Sequence, residues 1–177
     1  AIIVTQGDIF FNNIVLDGQT ACCCRIQGIN ASNPEANIQI HNMWCGFIET
    51  DLTLHAVELI NIRNVHIDGS EIYSNARGIL FNSAPRCNVT NTNIVNAQPN
   101  IVANTFAFNI KGSPMVKIIN CIIINFDGAV LTDATSTLCE FSINGVTLRG
   151  ILFAAGMVAY TTSVADIVDT TYNCIIR

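Results

Sequence analysis

VELINIRNVHIDG, residues 57–69, carries the pattern on which the fold turns. At Ile62-Arg63-Asn64-Val65-His66-Ile67 the order is aliphatic, any residue, Asn, aliphatic, any residue, aliphatic. Apolar residues alternating on both sides of the Asn read as two short strands. An Asn side chain can hydrogen-bond its own backbone, and Asn tolerates left-handed dihedrals better than other non-glycine residues. Asn64 therefore reads as the corner at which those two strands meet.

The same grammar recurs along the chain. It stands at Phe11-Asn12-Asn13-Ile14-Val15-Leu16, at Ile40-His41-Asn42-Met43-Trp44-Cys45 and at Ile118-Ile119-Asn120-Cys121-Ile122-Ile123, with a weaker copy at Val89-Thr90-Asn91-Thr92-Asn93-Ile94. A last copy, Ile143-Asn144-Gly145-Val146-Thr147-Leu148, moves the Asn back one place and puts Gly at the corner. Positions 13, 42, 64, 91, 120 and 145 are separated by 29, 22, 27, 29 and 25 residues. Such periods fit one turn of a parallel β-solenoid and are too irregular for the strict short repeats of hexapeptide helices. No window sustains the i, i+3, i+4, i+7 pattern of a helix. The structural rival is an antiparallel sandwich with Asp17-Gly18, Asp68-Gly69 and Asp127-Gly128 as hairpin turns. A corner that returns at one-coil spacing favours the solenoid, since hairpins do not require it.

In a solenoid, coils stack about 4.8 Å apart, so six corners imply a rod of roughly 30 Å. Asn13, Asn42, Asn64, Asn91 and Asn120, with Asn144 one place early, are expected to lie above one another as a hydrogen-bonded ladder. The flanking aliphatic residues point inward: Phe11, Ile14 and Leu16; Ile40, Met43 and Cys45; Ile62, Val65 and Ile67; Ile118, Cys121 and Ile123. The solenoid is expected over residues 1–150. Residues 151–177 lose the corner motif and are expected to cap the open strand edge or to serve as an oligomerisation segment.

Between the inward positions after each corner lie Val15, Trp44, His66, Asn93, Ile122 and Thr147. Three of these six outward residues, Val15, Trp44 and Ile122, are large and apolar, which marks a contact surface. Trp44 is its expected anchor, because interface cores are enriched in aromatic residues.

Composition excludes several other functions. The net charge of −5, with eight Lys and Arg, offers no basic patch for a phosphate backbone, so no nucleic-acid partner is expected. Eight cysteines include the consecutive Cys22, Cys23 and Cys24 and form no C-x-x-C unit. Adjacent residues of a strand face opposite ways, so these read as small buried hydrophobes in a reducing compartment and not as a zinc site or disulfide framework. His41, His55 and His66 are not at ligand spacing, and neither a metal nor a cofactor is expected. No membrane span is expected, because the uncharged run after Arg149 is short and broken by Gly, Ser and Thr. Asp17 and Asp68 occupy equivalent places two coils apart by this numbering, roughly 10 Å by strand spacing, but each precedes a Gly as a tight turn demands. Glu49, Asp51, His55 and Glu58, with Glu71 a coil later, form a second acidic group that reads as a solvated loop.

The run from Asn37 to Gly150, with its Asn corners and the phrases NIRNVHIDGSEIYSNARGILFNSA and VKIINCIIINFDGAVL, resembles right-handed parallel β-helix proteins of the pectate-lyase-like type. It is most similar to the β-helix of phage tailspikes and related virion surface proteins. The resemblance implies an all-β, right-handed parallel β-helix of about six to seven coils and a homotrimer of rods packed side by side. It also implies a location in the virion after synthesis in the host cytoplasm, which the Ala1 start suits as a product that has lost its Met. The function expected is that of a capsid decoration or cement trimer, or a short tail spike or fibre, which stabilises the particle or contacts the host surface beside other virion proteins. The alternative is a carbohydrate-active β-helix domain, a polysaccharide hydrolase, lyase or binding module for host surface polysaccharide. Such domains carry paired carboxylates on neighbouring coils, for which Asp17, Asp68 and Glu71 are the candidates here.

Overall fold

The computed structural model describes residues 2–4, 7–18, 22–28, 36–49, 51–100, 102–113, 115–132, 141–149, 158–160 and 172–176. Every element among them is a strand. The chain runs through β1 (Ile2–Val4), β2 (Gly7–Asn12) and β3 (Val15–Gly18), then β4 (Cys24–Gly28), β5 (Ala36–His41) and β6 (Trp44–Phe47). It continues through β7 (His55–Ile60), β8 (Val65–Asp68), β9 (Glu71–Ser74), β10 (Arg77–Asn82), β11 (Asn88–Thr90) and β12 (Asn93–Asn96). Then come β13 (Phe106–Lys111), β14 (Val116–Ile119), β15 (Ile122–Ile124), β16 (Gly128–Thr132), β17 (Phe141–Arg149), β18 (Val158–Tyr160) and β19 (Tyr172–Ile176).

These strands build three walls. Every third strand joins the first wall, a seven-stranded sheet in the order β1-β4-β7-β10-β13-β16-β18. The second wall is β2-β5-β8-β11-β14 and the third is β3-β6-β9-β12-β15; β17 joins them, pairing through its first half with β14 and through its second half with β15. Pairing is parallel throughout, including β16 with β18 and β17 with β19. Parallel neighbours need a crossover, and each crossover here is one circuit of the chain. No antiparallel hairpin occurs among the described residues, and the architecture is an all-β stack consistent with a parallel β-solenoid. In the section from 151 onward, β18 pairs with β16 and β19 pairs with β17, the latter with a register shift between Asn144 and Val146, while its other residues lie outside those described.

Alternation explains the core. Strand β8 reads buried, half-buried, buried, half-buried, as a strand with one face inward must. Across the registers the inward residues form columns: Ile40, Ile67, Val89 and Ile118 on the second wall, and Cys45, Ile72, Ile94 and Ile123 on the third. On the first wall the column is Ile26, Leu59, Phe81 and Ile110, with Phe81 and Phe108 stacked at 6.3 Å. The residues read as inward at positions 40 to 45, 62 to 67 and 118 to 123 are all buried. Phe11, Ile14 and Leu16, in the outermost circuit, are only partly buried against that core.

The corners follow three separate tiers. Between the second and third walls stand Asn13, Asn42, Gly69, Asn91 and Asn120, all with φ between 51° and 60°. In β17 the same tier falls on Gly145, with Asn144 beside Ile119. Asn64, also left-handed at φ 56°, is not in this tier. It lies at the entry to the second wall beneath Arg86 (φ 58°) and Met115 (φ 62°), and the ladder position expected for it belongs to Gly69. A third tier, Asn61, Ser83 and Gly112, ends the first-wall strands. Two of the three tiers therefore flank the single connection between the first and second walls, and the third marks the turn from the second wall to the third; Asn or Gly takes most of these left-handed places.

Candidate functional site

On the third wall the outward row reads Val15, Trp44, Glu71, Asn93 and Ile122, and Thr147 is aligned with Ile122 in the backbone register. Val15 (74% exposed) and Trp44 (37%) are neighbours in it. Ile122, half-buried, is separated from them by Glu71 and Asn93, so the apolar stripe is interrupted. His66, expected in this row, instead faces out from the second wall between Gln39 and Asn88. That exchange with Glu71 follows directly from the displaced corner at Asn64. Phe10 and Ile48, both 64% exposed, add apolar surface in the same first circuits.

Trp44 does not project freely. A Cβ placed on Gly46 would lie 2.5 Å from Trp44 Cη2 and 3.0 Å from Cζ3, so the indole folds back over the bare Gly46 backbone. Tyr73 on the next strand lies beside it, with ring centroids 6.2 Å apart and planes inclined by 37°. Its hydroxyl donates to Glu71 Oε2 at 3.5 Å. Asp17 is on the same wall, aligned with Gly46 and Tyr73. The result is an aromatic platform with carboxylates at its margin, and the large half-exposed rings give it area at little conformational cost.

The carboxylates do not occupy equivalent positions. Asp17 ends a third-wall strand, whereas Asp68 precedes the corner on the second wall, aligned with His41 and Thr90. Two Asp-Gly pairs mark two different points of the circuit, which corrects the equivalence read from sequence. Asp68 accepts from Thr90 Oγ1 at 2.5 Å and from Asn91 Nδ2 at 2.8 Å, and His41 Nδ1 lies 3.4 Å away. These contacts, the Thr90 hydroxyl first, hold its carboxyl below the usual range. A carboxylate held ionised this way suits an acceptor that braces a corner better than a general acid. His66 Nε2 bonds the same Thr90 hydroxyl at 2.9 Å and packs edge-on to His41 at 6.0 Å.

The second acidic group is dispersed. Asp51 is exposed and accepts from Thr53 N and Oγ1. Glu58 is buried on the first wall, paired with Arg25 at 2.5 Å. His55, also buried there, is held neutral: desolvation, with Arg77 and Lys111 nearby, pushes its pKa down to about 3. Asn109 Nδ2 lies 3.2 Å from His55 Nε2, which accepts in a neutral ring.

The cysteines with described side chains are free thiols. Burial pushes Cys121 up to about 11 and Cys87 up to about 12, as in unreactive core thiols. The Cys23 thiol donates to the Gly46 carbonyl at 3.5 Å.

Sequence reading missed a groove on the second wall, between the strands that carry Gln39, His66, Asn88 and Lys117. Its residues lie 22 to 29 positions apart, so no local motif announces it. No protein-family model, curated protein or solved structure matches the chain.

Proposed function

We propose that the chain is a non-enzymatic structural module of a phage-type virion, a capsid decoration or cement trimer or a short tail spike or fibre. In this reading three right-handed rods of about six to seven coils pack side by side, residues 151–177 close or link their ends, and other virion proteins or the host surface supply the remaining contacts. The observation that carries it is the exposed pair Val15 and Trp44 on the outside of a parallel stack. Exposed apolar residues that adjoin one another on a rigid wall favour a contact surface. Ile48, the residue after the Trp44 strand, is exposed as well, while the exposed Phe10 belongs to the second wall. Recombinant protein added to particles that lack it should co-sediment with them, and Trp44→Lys, which removes the surface along which the rods pack, should abolish that association. Equal co-sedimentation of the variant would remove the assigned surface.

A second reading, a carbohydrate-binding or carbohydrate-cleaving domain, is favoured by one observation: the Trp44–Tyr73 platform edged by Glu71. Incubation with host polysaccharide and assay of reducing ends separates the two. Turnover abolished by Asp68→Asn or Glu71→Gln would sink the structural reading.

A further inference from the structure

The groove on the second wall has a volume of about 350 Å³, near the lower bound of small-molecule sites. It runs across four parallel strands. Its floor is the outward row Gln39, His66, Asn88 and Lys117, and its lower edge is the left-handed tier Asn64, Arg86 and Met115. In a chain of net charge −5 with only eight Lys and Arg, this lining holds two cations and no carboxylate. Carboxamides supply most of the rest: Asn37, Gln39, Asn64 and Asn88. The nearby Asp68 is turned to Thr90, Asn91 and His41 and is absent from the lining. Neither Arg86 nor Lys117 pairs with a carboxylate among the described residues.

Two further features shape the groove. Arg86 and Met115 hold φ of 58° and 62°, where Asn, as at position 64, is at less strain. The bend of the circuit holds them there, and it sets both residues along one edge of the groove. Arg86 is also aligned with Met115, two residues before Lys117 on the neighbouring strand, which sets their Cα atoms about 8 Å apart by strand geometry. Two long cationic side chains at that separation can converge on one anionic group, with carboxamides left to bond its neighbouring hydroxyl or carbonyl groups.

We infer that this groove binds a small organic oxyanion, a molecule whose carboxylate or phosphate group sits between Arg86 and Lys117 and whose polar body lies along Gln39, His66 and Asn88. The charge selects an anion, and the volume restricts it to one small molecule. Two cations are too few to hold a nucleic-acid backbone. The site is on a different wall from the Trp44 platform and does not depend on the virion reading.

Calorimetric titration of the full chain with inorganic phosphate, malonate and glucose tests it. Saturable binding of phosphate or malonate, weakened by added salt, is expected, with the better of the two identifying a tetrahedral or a planar oxyanion. The double variant Arg86→Asn, Lys117→Gln keeps a residue suited to the left-handed backbone and should lose about tenfold or more in affinity. Lys111→Gln, on the first wall, should leave affinity unchanged. Amide shifts in the unaltered protein should gather at His66, Asn88 and Lys117. Equal affinity in the double variant, equal binding of glucose, shifts scattered over the surface, or no binding of either anion would each overturn the assignment.

Discussion

Asn42 donates through Nδ2 to Asn13 Oδ1 at 3.2 Å, joining two corners 29 residues apart in sequence. Both are left-handed, at φ 53° and 55°, and Gly69 follows in the same tier at φ 60°. The corner thus fixes the backbone bend and, between its first two members, the stacking. Asn42→Ala should lose the bond and gain strain, lowering stability in urea unfolding by about 2 kcal/mol. At Gly69 a Cβ would meet Asn42 Oδ1 at 3.0 Å. Gly69→Asn should therefore be destabilising, but less so than Gly69→Ala, because Asn tolerates the dihedral and can bond within the ladder. Equal costs for the two would show that the tier is set by sterics alone.

Gly78 is required for a different reason. A Cβ there would lie 2.3 Å from the Ala107 carbonyl oxygen, a backbone atom that cannot step aside without disturbing the β10–β13 pairing. Gly78→Ala should cost about 3 kcal/mol, at the upper end of overpacking effects, and should lower the urea midpoint accordingly. A midpoint within error of the parent would mean that β10 and β13 are not packed this closely.

Much of the architecture was legible because its signals are local. Alternation of apolar residues and a recurrent Asn identify strands, corners and the inward columns, and Ile40, Ile67 and Ile118 occupy the core for that reason. Asn64 belongs to another tier because the chain is left-handed both where it enters the second wall and where it leaves it, and the grammar around an Asn does not say which end of the strand it serves. The signal that separates them is Asp68-Gly69, since Gly meets the requirement as well as Asn. With Asn64 displaced, His66 and Glu71 exchanged walls. The platform of Trp44, Gly46 and Tyr73 and the groove around Arg86 and Lys117 depend on registers between distant segments, which no single stretch encodes.

Trp44 is the only tryptophan in the chain, so its fluorescence reports on the platform. Gly46→Ala should drive the indole off the backbone, because the new methyl would lie 2.5 Å from Cη2. The emission maximum should move to longer wavelength as the ring enters water. An unchanged spectrum would place the indole elsewhere. Unfolding free energy should fall by no more than about 1 kcal/mol, since an exposed ring can rotate away.

His55 gives stability a pH dependence of predictable sign. Its native pKa, about 3, lies below the unfolded value of about 6.5, so the contribution is fully present above pH 6.5 and is lost as pH falls toward 3. The slope should approach 1.4 kcal/mol, at about one proton per pH unit, and His55→Gln should flatten it. The lowered carboxyl of Asp68 acts in the same direction but only below about pH 4, leaving the interval from 4 to 6 to His55. Urea unfolding of both proteins across that interval checks it, and parallel curves would contradict a buried neutral His55.

The central proposal is that the wall bearing Val15 and Trp44 joins copies of the chain. Sedimentation equilibrium at micromolar concentration tests it most directly. The expected mass is three times the 19.2 kDa of the chain, falling to a single chain mass for Trp44→Lys with the fold retained. A 19.2 kDa monomer for the unaltered protein, or a trimer that Trp44→Lys leaves intact, would contradict it.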